Sequence, residues 1–290
     1  MTLEKDIRKC PCGSGKNFSD CCEKYLRVPG HYEWGTKPET VLFDWLDVYS
    51  QPIVTSFMEK ARPYVFRISS YLDSIIDQYF TLEFDTHISD KEAVNKAIFS
   101  IQNNILHSLL ASFSCSCQGL FMQSGILLRS LTEDCLVLVD FSENKGQIEK
   151  FLRGNYSTSR LLSRVKAYVP QNIVNWYSYF SENFTHFGPL HPAPYLPIGC
   201  YADNAVLVIV LQNMVRAVVT FHTVLERIHF NQIRSPVLWN RKDTESVLIF
   251  CENSPVLDWA DELGKEIISD YPPDERKEGF FYDPQGYRTK

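Results

Sequence analysis

Residues 119–141 read GLFMQSGILLRSLTEDCLVLVDF, a stretch that is apolar on nearly every side when wound as an α-helix. A helix without a polar face has to be buried, so this one is expected to run through the middle of a bundle of other helices. Over residues 118–141, Leu120, Leu127, Leu128, Leu131, Cys135 and Leu138 share one face. The stretch before it supplies a partner, because Val94, Ala97, Ile98, Ile101, Ile105, Leu109 and Phe113 recur at helical spacing. That stretch opens on Ser89-Asp90-Lys91-Glu92, a capping box in which Ser89 caps and Glu92 reaches back. Further helices are expected over residues 148–168, ended by Pro170, over 171–184 and over 202–230, although AVLVIVL inside the last would by itself suit a strand. Residues 39–80 read as one or two helices broken near Pro52 and Pro63. No strand–turn–strand pattern recurs and no repeat is visible. The expected fold class is all-α, an antiparallel helical bundle with extra helices.

The bulk numbers agree with a globular chain. It has 290 residues, 44% hydrophobic and 22% charged, enough for one large core or two small ones. A formal net charge of −6 argues against a surface coated with basic residues for nucleic acid, while leaving a local basic patch open. The start, MTLEKDIRKC, is charged and carries no apolar core segment of a signal peptide. The most apolar stretch, AVLVIVLQNMVRAVVTF, is interrupted by Gln212, Asn213 and Arg216, whereas a membrane span needs about 20 predominantly apolar residues. A soluble, cytoplasmic protein with no membrane partner is expected. Residues 233–290 are polar and punctuated by proline, with one short amphipathic helix near 255–270 and a charged end.

One segment lies outside this pattern. Residues 10–22 read CPCGSGKNFSDCC, two close cysteine pairs around a Gly-Ser-Gly-Lys turn. Zn²⁺ takes four soft ligands in a tetrahedron, and Cys10, Cys12, Cys21 and Cys22 can supply them. Gly13 and Gly15 let the chain fold back, and Phe18 is placed to cover the metal. A segment this short has no core of its own, so metal binding would supply its folding free energy. "GSGK" is not a phosphate loop, because G-x-x-x-x-G-K-[ST] is absent and neither strand nor helix flanks it in the required way. The remaining cysteines, Cys115, Cys117, Cys135, Cys200 and Cys251, lie in apolar surroundings and read as small core residues.

The spacing C-x-C-x8-C-C with an internal Gly-Ser-Gly resembles the SEC-C motif, the small zinc module of SecA-type C-termini. SecA-type copies often carry His in the last ligand place, where this chain has Cys22, an equally good ligand. The resemblance implies one structural zinc per chain in a closed four-ligand site, and a module that contacts a protein partner or the ribosome. Residues 1–27 carry six basic against four acidic residues, which four zinc-bound thiolates would bring near neutrality. That is a poor electrostatic clamp for nucleic acid. The expected organisation is a zinc module over 1–27, a linker over 28–40, a helical bundle over 41–232 and a C-terminal extension over 233–290.

Chemistry in the bundle has to come from polar residues where a core is expected. Arg129 and Glu133 sit four apart in the apolar helix, and a buried charge must be paired. They either pair with each other and fix the packing, or Arg129 points into a site. A second cluster, Tyr179, Ser181, Asn183, His186 and His191, falls at the end of a short helix and the start of a Pro-rich loop. Histidine is the side chain most easily set to titrate near neutrality.

Arg129, Ser130, Leu131 and Glu133, with Tyr177 or Tyr179, Ser181 and His186 or His191, resemble the helical family labelled DUF5677 over residues 50–230. That family looks distantly like the HEPN bundles of toxin–antitoxin and phage-defence ribonucleases, which use R-x4–6-H at a dimer interface. Here no Arg lies four to six residues before either histidine, so Arg129 would have to supply the charge from another helix.

Two functional readings follow. In the first, the zinc module docks onto a protein or ribosome partner and the bundle binds a ligand or dimerises. In the second, the chain is a HEPN-like, metal-independent ribonuclease acting on RNA. Its candidate catalytic residues are Arg129, Glu133, His186 and His191, with a histidine as general acid or base and Arg129 stabilising the phosphorane charge. A zinc hydrolase is disfavoured, since no H-E-x-x-H and no close His/Asp cluster stand outside the cysteines.

Overall fold

The computed structural model describes residues 50–84, 90–144, 146–182, 204–242 and 247–272. These form α1 (Ser50–Tyr79), α2 (Lys91–Cys117), α3 (Phe121–Glu143), α4 (Gln147–Leu152), α5 (Leu161–Val165), α6 (Gln171–Phe180), α7 (Asn204–Ile228), β1 (Trp239–Arg241), β2 (Leu248–Phe250) and α8 (Pro255–Asp270). The described chain is therefore mostly helical, as its periodicity requires.

Contacts between the long helices fix their directions. Asn104 meets Asp134, Ser112 meets Ser124, Gln102 meets His229, and Arg227 meets Glu143. Arg129 meets Ser181 just past α6, while Arg227, paired with Glu143 at the end of α3, lies over Tyr168 just ahead of α6; Tyr71 meets Trp259, and Tyr64 meets Asp270. Lys60 meets Asn204 and Tyr71 meets His222. So α1, α3 and α7 run one way and α2, α6 and α8 run the other, an antiparallel bundle. At its centre is α7, packed on α1, α2, α3, α8 and β1. It is long and apolar enough to cross a membrane by length and composition, but most of its apolar stretch is buried among its neighbours. The run that reads as apolar all round behaves accordingly: residues 135–141 of α3 are all buried.

Helix boundaries follow local chemistry. Asp90, not Ser89, caps α2: its carboxylate accepts from Ala93 N at 3.0 Å, where a negative charge also meets the positive end of the helix dipole. Ser89 lies outside the described residues. Gly119, at φ 76°, ends α2 in a Schellman turn, with Leu120 N donating to Cys115 O at 2.8 Å and Gly119 N to Ser116 O at 2.9 Å. That turn folds α3 straight back against α2. The two approach through Ser112, Ser116 and Ser124, whose hydroxyls bond one another.

Two helix expectations are corrected. Pro63 does not break α1, which runs unbroken through it, and Pro52 falls in its first turn, where a missing N–H costs little. A mid-helix proline frees carbonyls on the turn before it. Next to the Glu59 carbonyl that Pro63 leaves without its N–H, the carbonyl of Lys60 accepts the Tyr271 hydroxyl at 3.0 Å, and buried Phe57, Ala61, Tyr64 and Ile68 hold both halves of α1 in the core.

Residues 148–168 are not one helix. Gly154, at φ 71°, ends α4 in a second Schellman turn, and Arg160, at φ 61°, precedes α5. The chain between them wraps a fully buried carboxylate. Asp140 receives two bonds from Arg164 to Oδ2, at 2.9 and 2.7 Å, one from Tyr156 OH at 2.9 Å and one from Asn144 at 2.7 Å.

A hairpin that the sequence pattern does not announce follows α7. β1 and β2 pair antiparallel with Trp239 opposite Phe250, and their rings meet at 5.4 Å. Helix α8 starts where the amphipathic pattern places it, capped by Ser254 with Pro255 at its first position. Its Val256, Leu257, Ala260, Leu263 and Ile267 join the same buried cluster as the bundle.

Candidate functional site

Arg129 lies midway along α3, where the helix turns from half-buried to fully buried. Opposite runs α6, whose Tyr177 and C-terminal flanking residue Ser181 are also four residues apart and both reach Arg129. The guanidinium spans both helices. Nη1 pairs with Glu133 Oε2 at 2.7 Å, Nε donates to Ser181 Oγ at 3.2 Å, and Nη2 donates to Tyr177 OH at 3.2 Å. Its carbon also sits 5.4 Å from the centre of the Tyr177 ring. The side chains of Arg129 and Glu133 keep 29% and 19% of their exposure, so water reaches the pair only in part.

All three nitrogens of Arg129 are thus engaged by the protein itself. Such a planar fork pins the C-terminal turn of α6 to α3. Between Tyr177 and Ser181 in sequence but on another face of the helix, burial raises the Tyr179 hydroxyl to about 12 despite the nearby charge of Arg216, so it stays protonated. Beside Glu133, burial raises Asp134 to about 6, against the opposing hydrogen bond from Asn104. Asp134 titrates closer to neutrality than an ordinary carboxylate, and nothing in its sequence neighbourhood singles it out. Its raised value depends on packing against α2.

Of the sequence-derived candidates, Arg129 and Glu133 are brought together, and Tyr177 and Ser181 join them. His186, His191 and Asn183 lie outside the described residues, as do Cys10, Cys12, Cys21, Cys22 and Cys200. Among the described residues, no group of three or more His, Cys, Asp or Glu is placed to hold a metal ion. Of the other cysteines, Cys135 is fully buried while Cys115, Cys117 and Cys251 are half-buried. Burial raises all four thiols, Cys117 to about 11, which disfavours the reactive thiolate.

A second polar cluster lies deeper. Glu226 of α7 is 1% exposed, and its Oε1 accepts from the backbone of Leu238 at 2.6 Å and Trp239 at 2.9 Å. One turn earlier, His222 meets Tyr71 OH through Nδ1 at 2.5 Å and Tyr79 OH through Nε2 at 2.9 Å. Nearby, His229 meets Gln102 at 3.2 Å. Burial lowers both histidines to about 4, so both are neutral at physiological pH. The helical spacing of α7 hides these residues, because they occupy positions that otherwise read as plain core.

No curated protein and no solved structure matches the chain. The SEC-C motif matches residues 9–24, a span that takes in Cys10, Cys12, Cys21 and Cys22. The chain carries an N-terminal SEC-C motif ahead of a helical bundle.

Proposed function

We propose that this chain is a zinc-containing binding protein. Its SEC-C module docks onto a protein or ribosome partner, and its helical bundle supplies a second contact by binding a ligand or dimerising. The observation that carries the reading is the SEC-C match over the four cysteines. The donor set suits the metal: Cys10, Cys12, Cys21 and Cys22 are four soft sulfur ligands, and zinc held by four thiolates has no position left for a reacting water. The metal would therefore hold the module's shape and supply no chemistry. The engagement of Arg129 also supports binding over cleavage, because Glu133 already neutralises its charge and three of its five N–H donors are spent on Glu133, Ser181 and Tyr177.

The test has two arms on purified full-length protein. Metal content is measured for the native chain and for Cys21→Ser, and both are sedimented with ribosomes over a salt series. About one zinc per chain, lost in the variant together with any ribosome association, is the expected result. The second arm incubates the protein with transfer, ribosomal and structured RNA under chelation. No cleavage is expected. Cleavage abolished by both Arg129→Ala and His186→Ala would replace the binding reading with a HEPN-like ribonuclease.

A further inference from the structure

The His222 cluster joins four elements. Tyr71 and Tyr79 come from α1, and His222 and Glu226 from α7. Glu226 Oε1 holds the Leu238 and Trp239 amides at the start of the hairpin. Tyr71 also stacks on Trp259 of α8, with ring centres 4.4 Å apart. A neutral imidazole has one N–H and one lone pair, so with hydroxyls on both nitrogens one tyrosine must donate and the other accept. That pattern is complete only while His222 is uncharged. The remaining carboxylate oxygen, Glu226 Oε2, stands 3.6 Å from His222 Nε2 with no strong hydrogen bond of its own.

We propose that Tyr71, His222, Tyr79 and Glu226 form a proton-controlled latch that fastens the hairpin and α8 onto α1 and α7 in neutral solution and releases them in mild acid. A proton on His222 makes both ring nitrogens donors. The tyrosine that had donated must then turn its O–H elsewhere. Tyr71 is half-buried and can turn to water. Tyr79 is fully buried, and its hydroxyl already interacts with Glu226, to which it turns wholly when it is the donor. The new imidazolium attracts Oε2 as well. Both changes draw the carboxylate away from the Leu238 and Trp239 amides, one of the hairpin's ties to α7 beside the indole bond from Trp239 to Thr223 O.

The surroundings offer the charge little else. From α2, the nearby group is neutral Gln102, and from α8 it is the Trp259 ring. Arg227 is engaged by Glu143 and lies over Trp239, at 4.5 Å from its ring centre. Cys251, beyond β2, has its thiol raised by burial and by Glu226. His229, on the next turn of α7, bonds Gln102 instead of this cluster. Burial holds His222 at about 4 when the latch is closed, against an ordinary value of 6.5 once open. Between pH 7.5 and pH 5 that difference raises the open population by up to about 30-fold. Burial also raises Glu226 in the closed state, and any proton it takes up there opposes part of the rise.

Hydrogen exchange on the full chain at pH 7.5 and pH 5.0, with exchange times corrected for intrinsic rate, reads this directly. Amides of β1, β2 and α8 should lose protection at pH 5.0 by roughly 10- to 30-fold, while α2 and α3 stay protected. In His222→Gln that loss should vanish, and in His229→Gln it should persist. Equal protection at both pH values in the native chain overturns the proposal, as does a response that survives in His222→Gln or disappears in His229→Gln. Should His222→Gln fail to fold, Glu226→Gln serves instead. It keeps an acceptor for the two amides but removes the counter-charge, so release should begin at higher pH, and an unchanged pH profile would overturn the latch.

Discussion

Buried charges in this bundle are tolerated only where their hydrogen bonds are met, and two residues set the range. Asp140 has no solvent exposure and is held by Arg164, Tyr156 and Asn144. Asp140→Ala removes a fully buried acceptor and leaves the Tyr156 hydroxyl and the partly exposed Arg164 guanidinium without their partner, and the expected cost is about 2–3 kcal/mol in a urea titration. Arg129 is partly exposed, so water screens its pair with Glu133. Arg129→Met should cost only about 1–2 kcal/mol, read in the same titration.

The neutral histidines give a pH dependence with a definite sign. His222 and His229 sit at about 4 when folded against 6.5 when unfolded, so the unfolded chain takes up protons that the folded chain refuses. Their contribution is fully present above pH 6.5 and is lost as pH falls toward 4. Thermal melts from pH 7.5 to pH 4.5 should show stability falling through that window, and His229→Gln should make the slope shallower.

Among the elements, the two Schellman turns do the directing. Gly119 reverses the chain between α2 and α3, and Gly154 stops α4 so that the following segment can close over Asp140. A Cβ at residue 154 would meet no neighbour within 4 Å, so a substitution there acts through the backbone alone. Gly154→Ala is expected to cost about 1 kcal/mol, because an L-residue resists a φ of 71°. The measurement is urea stability, with exchange of the α4 and α5 amides to localise the effect. The hairpin is an element of another kind. Its strands, Trp239–Arg241 and Leu248–Phe250, are too short to show any periodicity. Glu226, the indole bond from Trp239 to Thr223 O and the Cys251–Leu238 backbone bond hold it in place.

For the whole molecule, one helix organises the rest. Because α7 contacts α1, α2, α3, α8 and β1, loosening it should melt the bundle as a unit, in one cooperative transition. The SEC-C segment is proposed to fold on its metal instead. Cys21→Ser should therefore release about one zinc per chain while leaving the melting temperature of the bundle unchanged. Calorimetry beside metal analysis checks this. A bundle that melts earlier in the variant would mean that the two fold together.

What the sequence determined by itself is whatever depends on near neighbours along the chain. The helical spacing of α2, α3, α7 and α8 was legible because burial of one face imposes a period of 3.6. The SEC-C motif was legible because four ligands for one metal must lie close together in so short a segment. The mutual pairing of Arg129 and Glu133 was one of two readings open at their spacing. What decided between them, adding Tyr177 and Ser181 from 48 and 52 residues away, was the packing of α6 against α3. Tertiary structure likewise carried α1 through Pro63, divided residues 148–168 around Asp140, and raised Asp134. It also placed His222 between two tyrosines. Each of these depends on removal of water and on a partner distant in sequence, and neither leaves a mark in the local pattern of residues.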